Sequence, residues 1–270
     1  MSNPRDAEVF PLVTNQSVDD YYASLNYAGM IQNTFMPDHD FLSSLTADHF
    51  VLFSPRDIVS GDFYYAFNSP QFTCIAAGDC TGHGVPGALL SIMGISFLNE
   101  ILQSHSSPRA NRILNLMREK VMKALHQTGA RSETKDSIDI GLCIVDCERT
   151  TLQFAGANRP LIRIRNGDLD EFKADKMTIG VAPLKEQSFL NVDMEIMPGD
   201  KFYLFSDGFA DQFGEVSDKK FKLRHFKRIL ESVASLPMHL QRSHLEIAFN
   251  DWKGTSRQID DVLVFGFQFK

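Results

Sequence analysis

Four short stretches set an aspartate beside glycine or a second acid at the end of an apolar run. They are Gly61-Asp62-Phe63, Gly78-Asp79-Cys80-Thr81-Gly82-His83-Gly84, Phe205-Ser206-Asp207-Gly208 and Ile259-Asp260-Asp261. Asp-Gly by itself is a turn signal, because the aspartate side chain bonds its own backbone. The shared context adds chemistry. Each aspartate borders a run with strand character, so a sheet can gather all four carboxylates at one edge. Carboxylates gathered this way repel one another. Hard cations such as Mg2+ and Mn2+, which favour carboxylate, carbonyl and water oxygens, would remove that repulsion.

The elements that must position these aspartates can be followed along the chain. Residues 1–16 form a loose leader. Ser17 and Asp20 then make a capping-box-like start, and Tyr21, Leu25, Ala28, Ile31 and Phe35 follow as one apolar helical stripe that Pro37 ends. HFVLFSP, GDFYYAF and FTCIAAGD are three successive strands. Two helices come next, one over Val85, Ala88, Leu89 and Ile92, the other over Ile113, Leu114, Met117, Val121 and Leu125. Strands resume at IDIGLCIVD, TLQFAGA, PLIRIRNG, FLNVDMEIM and KFYLFSDG, with Asn166–Gly167 as the strongest hairpin signal. Residues 218–252 return to helical patterning, and DVLVFGFQF is a last strand that closes the core. Antiparallel strands clustered around helix pairs predict an α+β layered fold, not alternating βαβ units.

The bulk properties narrow the function classes. The 270 residues carry a net charge of −7, which argues against a nucleic-acid partner. The longest apolar stretch, Val85 to Leu102, is broken by Ser91, Gly94, Ser96, Asn99 and Glu100, so no membrane insertion is expected. MSNPRDAEVF lacks the layout of a secretory signal. Cys74, Cys80, Cys143 and Cys147 show no CxxC spacing, and buried free thiols in a reducing cytoplasm are the expectation. No GKT or GKS phosphate loop is present.

The run AAGDCTGHGVPGALLS resembles the D-x-S/T-G-H-G signature of stage II sporulation E-type (SpoIIE-like) phosphatases, a branch of the metal-dependent serine/threonine protein phosphatases that include type 2C. The resemblance continues in the family's order through IQNTFMP, SPRDIVSGDFYYAF, DSIDIGLCIVD, LQFAGANRPLIRIRNG, YLFSDGFADQ and DDVLVFGF, covering roughly residues 30–269. It implies a four-layer α-β-β-α sandwich of two antiparallel sheets flanked by helices. A leader and N-terminal regulatory helix over 1–37 would precede a phosphatase domain over 38–270. It also implies two ions, Mn2+ or Mg2+. Asp79 matches the aspartate bridging both, Cys80 would contribute its backbone carbonyl, Asp207 and Asp260 match carboxylates on one ion, and Asp62 matches a residue on the other ion or its water.

Water activated by the ion pair would attack phosphorus directly. His83 matches the histidine proposed as acid for the leaving oxygen in type 2C enzymes, and the alternative is that it only shapes the turn between two glycines. Gly82, Gly84 and Gly87 serve backbone geometry. Asp139 aligns with an acidic position that in some relatives joins a third metal site, against a structural hydrogen bond as the alternative. Asp211 fits a solvated or capping carboxylate, and Asp261 is the acid adjacent to Asp260. Many relatives read GDFYD, where this chain has Tyr65 for the second carboxylate.

The implied substrate is phosphoserine or phosphothreonine on a bacterial regulatory protein of the STAS-type anti-sigma-factor antagonist class. The 17–37 helix is the expected site of control. Its apolar stripe is open to packing on its own domain or on a partner helix in a homodimer, and whether the chain is a fragment of a longer sensor protein stays open at this point. The rival readings are a catalytically silent interaction module with this fold and a two-metal phosphodiesterase.

Overall fold

The computed structural model describes residues 15–128, 135–181, 187–216 and 218–269. Most of the expected leader, residues 1–14, lies outside them. Seven helices and ten strands follow in the described residues: α1 (Asn15–Phe35), α2 (His39–Leu45), β1 (Asp48–Ser54), β2 (Asp62–Asn68), β3 (Phe72–Cys80), α3 (Gly84–Gln103), α4 (Ala110–Ala124), β4 (Ile138–Asp146), β5 (Thr151–Ala157), β6 (Leu161–Arg165), β7 (Asp168–Phe172), β8 (Val192–Glu195), β9 (Lys201–Phe205), α5 (Gly208–Asp211), α6 (Leu223–Val233), α7 (Met238–Lys253) and β10 (Val262–Gln268).

Two five-stranded sheets form, ordered β1-β10-β9-β6-β7 and β2-β3-β4-β5-β8, and the pairings within them are antiparallel. The strand alternation explains the layering, because successive side chains leave opposite faces. In β3, Cys74 and Ala76 join the apolar layer beneath α3 and α4. Ile75 and Ala77, one step over, join the layer between the sheets with Phe202, Leu204 and Phe265. A third layer, with Tyr203, Phe205, Phe226, Leu245 and Phe249, sits between the first sheet and α6 and α7. Three apolar layers separate four structural ones, which is the expected α-β-β-α sandwich.

Asn166 and Gly167 both have positive φ, +54° and +91°, as a two-residue hairpin turn requires between β6 and β7. Strand β10, from DVLVFGFQF, pairs with both β1 and β9 and so lies inside its sheet. Helix α3 is long and apolar enough by composition to cross a membrane, but half of its apolar window is buried within the sandwich.

Two expectations need correction. The first helix is already formed at Asn15, so Ser17 lies inside it and does not cap it; end positions are the least determined part of a helical pattern. Cys74, Cys80 and Cys143 are buried and free, but Cys147 is exposed, because it falls in the turn just beyond the end of β4.

The apolar stripe of α1 is left largely exposed by its own domain. Tyr21, Ile31 and Phe35 are 59%, 41% and 40% exposed, Ala28 is exposed and Leu25 is half-buried. The face that docks is a different one, through Gly29 and Gln32, with Met36 just beyond the helix end.

Candidate metal centre

Strand register builds the first half of the site. Asp62, the first residue of β2, lies directly opposite Asp79 near the end of β3, and Asp79 lies opposite Asp139 near the start of β4. Three carboxylates thus stand side by side at one end of one sheet, an arrangement that is destabilising unless positive charge is supplied. The other sheet contributes from the same end. Asp207 follows β9 and Asp260 precedes β10, and the two lie with Asp79 and Asp139 on a cleft of about 260 Å³ that His83, Arg159 and the Cys80 to Gly82 segment complete.

The loops that hold these residues are fixed by buried side chains. Asp261 is 3% exposed, and its carboxylate accepts from the Arg56 and Gly61 backbone N–H groups at 2.7 Å each, latching the loop before Asp62. Asp261 is therefore a clamp and not a ligand candidate. Gln32 of α1 holds the same loop. Its Nε2 donates to the Ser60 carbonyl at 2.6 Å and to Ser91 Oγ at 2.8 Å, while its Oε1 accepts from the Ser60 N–H at 3.0 Å. Gln212, fully buried, accepts from the Ile259 N–H at 3.1 Å and donates to the Arg257 carbonyl at 3.0 Å, which sets the segment leading to Asp260.

The turn after β3 depends on glycine. Gly82 has φ +82°, a region that side chains disfavour. A Cβ on Gly87 would fall 2.4 Å from the Gly82 carbonyl oxygen, so only glycine lets α3 start this close to the turn. Gly82, Gly84 and Gly87 fall at the spacing of a dinucleotide-binding motif, but they follow an antiparallel strand and no βαβ unit surrounds them.

The electrostatics reveal a shortage of positive charge. Asp62 is 2% exposed and its Oδ2 has no hydrogen-bond partner. Burial first, and the Asp79 charge second, push its pKa well above the usual carboxylate range. Asp79 is pushed up to about 7 by burial, with Asp207, Asp260 and Asp139 adding to the rise and Arg159 opposing it. Burial also raises Asp260, with Asp207 among the contributors. Cys80 is buried and its thiol is raised strongly by burial, so no thiolate is on offer there.

Arg159, beyond the end of β5, is the residue the sequence did not single out. Its Nη2 lies 2.8 Å from Asp79 Oδ2, 2.8 Å from Asp207 Oδ2 and 3.5 Å from Asp139 Oδ2. One nitrogen thus ties together carboxylates from both sheets. Among the described residues, no three acidic, histidine or cysteine side chains are arranged to hold an ion as they stand. The oxygens fit hard cations in type, and the buried, unpartnered Asp62 Oδ2 is an acceptor that such an ion would satisfy.

The remaining residues sort clearly. His83 Nδ1 sits 2.9 Å from Asp57 Oδ2, a second contact the sequence did not announce. Asp139 Oδ1 accepts from Asn158 Nδ2 at 2.9 Å, the structural bond offered as its alternative role. Asp211 pairs with Lys220 at 2.6 Å, away from the cleft lining. Tyr65 points into the core, where its hydroxyl donates to Asn99 Oδ1 at 2.7 Å.

Comparison with known proteins agrees with this architecture. The family model for stage II sporulation protein E (SpoIIE) matches residues 69–270. The SiaA-PP2C domain of Pseudomonas aeruginosa is 30% identical with a TM-score of 0.84, over 96% of this chain and 100% of that one. The PP2C phosphatase domain of SpoIIE from Bacillus subtilis, solved with a fragment of its regulatory domain, superimposes with a TM-score of 0.62 at 17% identity, over 82% of this chain and 62% of that one. RsbX in complex with magnesium gives 0.54 at 13% identity, over 82% and 94%. No curated protein sequence matches the chain. With a five-plus-five-stranded sandwich and a family match over three quarters of its length, the chain belongs to the SpoIIE family and carries a PP2C-type phosphatase fold.

Proposed function

We propose that this chain is a metal-dependent serine/threonine protein phosphatase working with two divalent cations, Mn2+ or Mg2+. The observation that carries the proposal is the in-register trio Asp62, Asp79 and Asp139, of which Asp79 and Asp139 share the cleft with Asp207 and Asp260, while Asp62 is buried next to Asp79 with its Oδ2 unpartnered. Magnesium in the RsbX complex favours the same class of ion.

In this reading Asp79, central in the register, would hold the ions together with Asp207, Asp260, Asp62 and the Cys80 carbonyl. When bound, such ions supply an acidified water and positive charge against the phosphoryl oxygens. The chain's own residues do the rest. His83, with Nδ1 held by Asp57, has Nε2 left to pass a proton to the departing seryl or threonyl oxygen. The loop clamps of Asp261, Gln32 and Gln212 keep the carboxylates in position while charge develops. Cys80 is buried and protonated, so it provides no nucleophile.

The substrate we propose is a phosphorylated bacterial regulatory protein of the STAS type, encountered in the cytoplasm. The domain boundary we propose is residue 37, with 1–37 as a regulatory segment. The exposed stripe of α1 pairs with its copy in a homodimer. The functional test compares phosphate release from a phosphoserine or phosphothreonine peptide with cleavage of single-stranded DNA, both in Mn2+. Peptide dephosphorylation alone is the expected result. Cleavage of DNA without peptide turnover would replace the phosphatase reading with a phosphodiesterase, and inactivity on both would leave an interaction module.

A further inference from the structure

The Arg159 guanidinium occupies the point on which the carboxylates of the two sheets converge. Its single nitrogen Nη2 is in contact with Asp79 and Asp207 at 2.8 Å and reaches Asp139 at 3.5 Å. The side chain is 14% exposed, so these are shielded contacts and not loose surface pairs. Asp207 Oδ2 accepts a hydrogen bond from Nη2, and the same nitrogen forms an ion pair with Asp79 Oδ2, so both oxygens are approached where an ion would also need them. Mg2+ binds oxygen at about 2.1 Å, which leaves no room for an N–H in the same direction.

Arg159 is also poorly held by anything else. Its Nε is buried and has no hydrogen-bond partner. A guanidinium that served only as structural cement would use its full fork of donors. This one spends its contacts on the carboxylates proposed for the ions, so leaving them costs little beyond those contacts.

We propose that Arg159 is a resident cation that competes with divalent ions for Asp79 and Asp207, so that metal entry is an exchange in which the guanidinium gives up both carboxylates. Arg159 is thus a positioning residue that sets metal affinity. It keeps mutually repelling aspartates together and raises the ion concentration needed to load the site. The inference rests on the metal-site reading above.

A competitor and a structural brace predict opposite signs on removal. Calorimetric titration of Mn2+ into the native protein and into Arg159→Gln separates them. Exchange predicts Mn2+ binding at least tenfold tighter in Arg159→Gln, with Arg159→Lys in between because one point charge still competes. Affinity that is unchanged or weaker in a folded Arg159→Gln protein overturns the exchange and leaves the metal site standing. Failure of the native protein and the variant to take up Mn2+ overturns the exchange and the metal-site reading together. A measurement on the native protein guards against misfolding of the variants. Titration with diamagnetic Mg2+ should shift the Arg159 side-chain Nε–Hε resonance in step with ion uptake, and a resonance that stays fixed while Mg2+ binds contradicts the exchange.

Discussion

At the scale of single residues, the convergence of Asp62, Asp79, Asp207 and Asp260 was legible because its signal is local. An aspartate at the end of an apolar strand, repeated four times, announces a shared edge without any coordinates. Arg159 and Asp57 were not legible. An arginine in a turn between strands has the same appearance as any surface cation, and only the fold shows three carboxylates around it. Asp261 was legible as an acid but not as a clamp, since its partners lie about 200 residues away in sequence.

The raised Asp79 pKa makes a prediction at this scale. With a folded value of about 7 against an ordinary one near 3.8, the native state holds a proton that the unfolded chain has released. The contribution of Asp79 to stability is therefore fully present below about pH 4 and is lost as pH rises toward 7, by at most about 1.4 kcal/mol per pH unit. In chelator, urea unfolding should show native stability falling relative to Asp79→Asn between pH 5 and 7. A difference that is flat or rises over that range contradicts the argument. Mn2+ should weaken the pH dependence by favouring the carboxylate form.

At the scale of elements, strands with strict alternation and the Asn166–Gly167 hairpin could be placed from the sequence. Helices α2 and α5, with seven and four residues, could not, because too few turns exist for a period to show. Strand β7, DLDEF, is polar and pairs with β6 alone, so it lacks the apolar signature of its neighbours. The α1 stripe was visible, but the docking face was not, because Gly29 and Gln32 are not apolar markers. Gln32 is the link between α1 and the metal-centre loop. Gln32→Ala leaves the buried Ser60 N–H without its partner and the Ser60 carbonyl with only Ser91 Oγ at 3.5 Å, which costs about 1–3 kcal/mol. Denaturant unfolding should register that loss. No change in midpoint would mean that water replaces the carboxamide and that α1 does not hold the loop.

At the scale of the whole molecule, the layered α+β class followed from the order of strands and helices, whereas the distribution of strands between sheets did not. Strand β1 is followed in sequence by β2 and yet pairs with β10 at the far end of the chain. That closure depends on the aromatic layer between the sheets, where Phe265 is fully buried beside Phe202, Leu204 and Phe267. Phe265→Ala should cost about 3–5 kcal/mol, read from chemical unfolding; a loss below 1 kcal/mol would show that the layer can collapse around the cavity. The exposed α1 stripe belongs to this scale too. Ile31→Glu should turn a dimer into a monomer in sedimentation, and a native protein that is already monomeric would refute the proposed pairing.

The central claim is that these aspartates make a metal-dependent phosphatase, and one comparison tests it most directly. Phosphate release from a phosphothreonine peptide is measured in Mn2+ for the native protein, for Asp79→Ala and for Asp211→Ala, the last removing an acid paired with Lys220 outside the cleft. The account predicts turnover that chelator abolishes, a loss of several orders of magnitude in Asp79→Ala, and near-native activity in Asp211→Ala. Full activity in Asp79→Ala, or turnover indifferent to chelator, would contradict it.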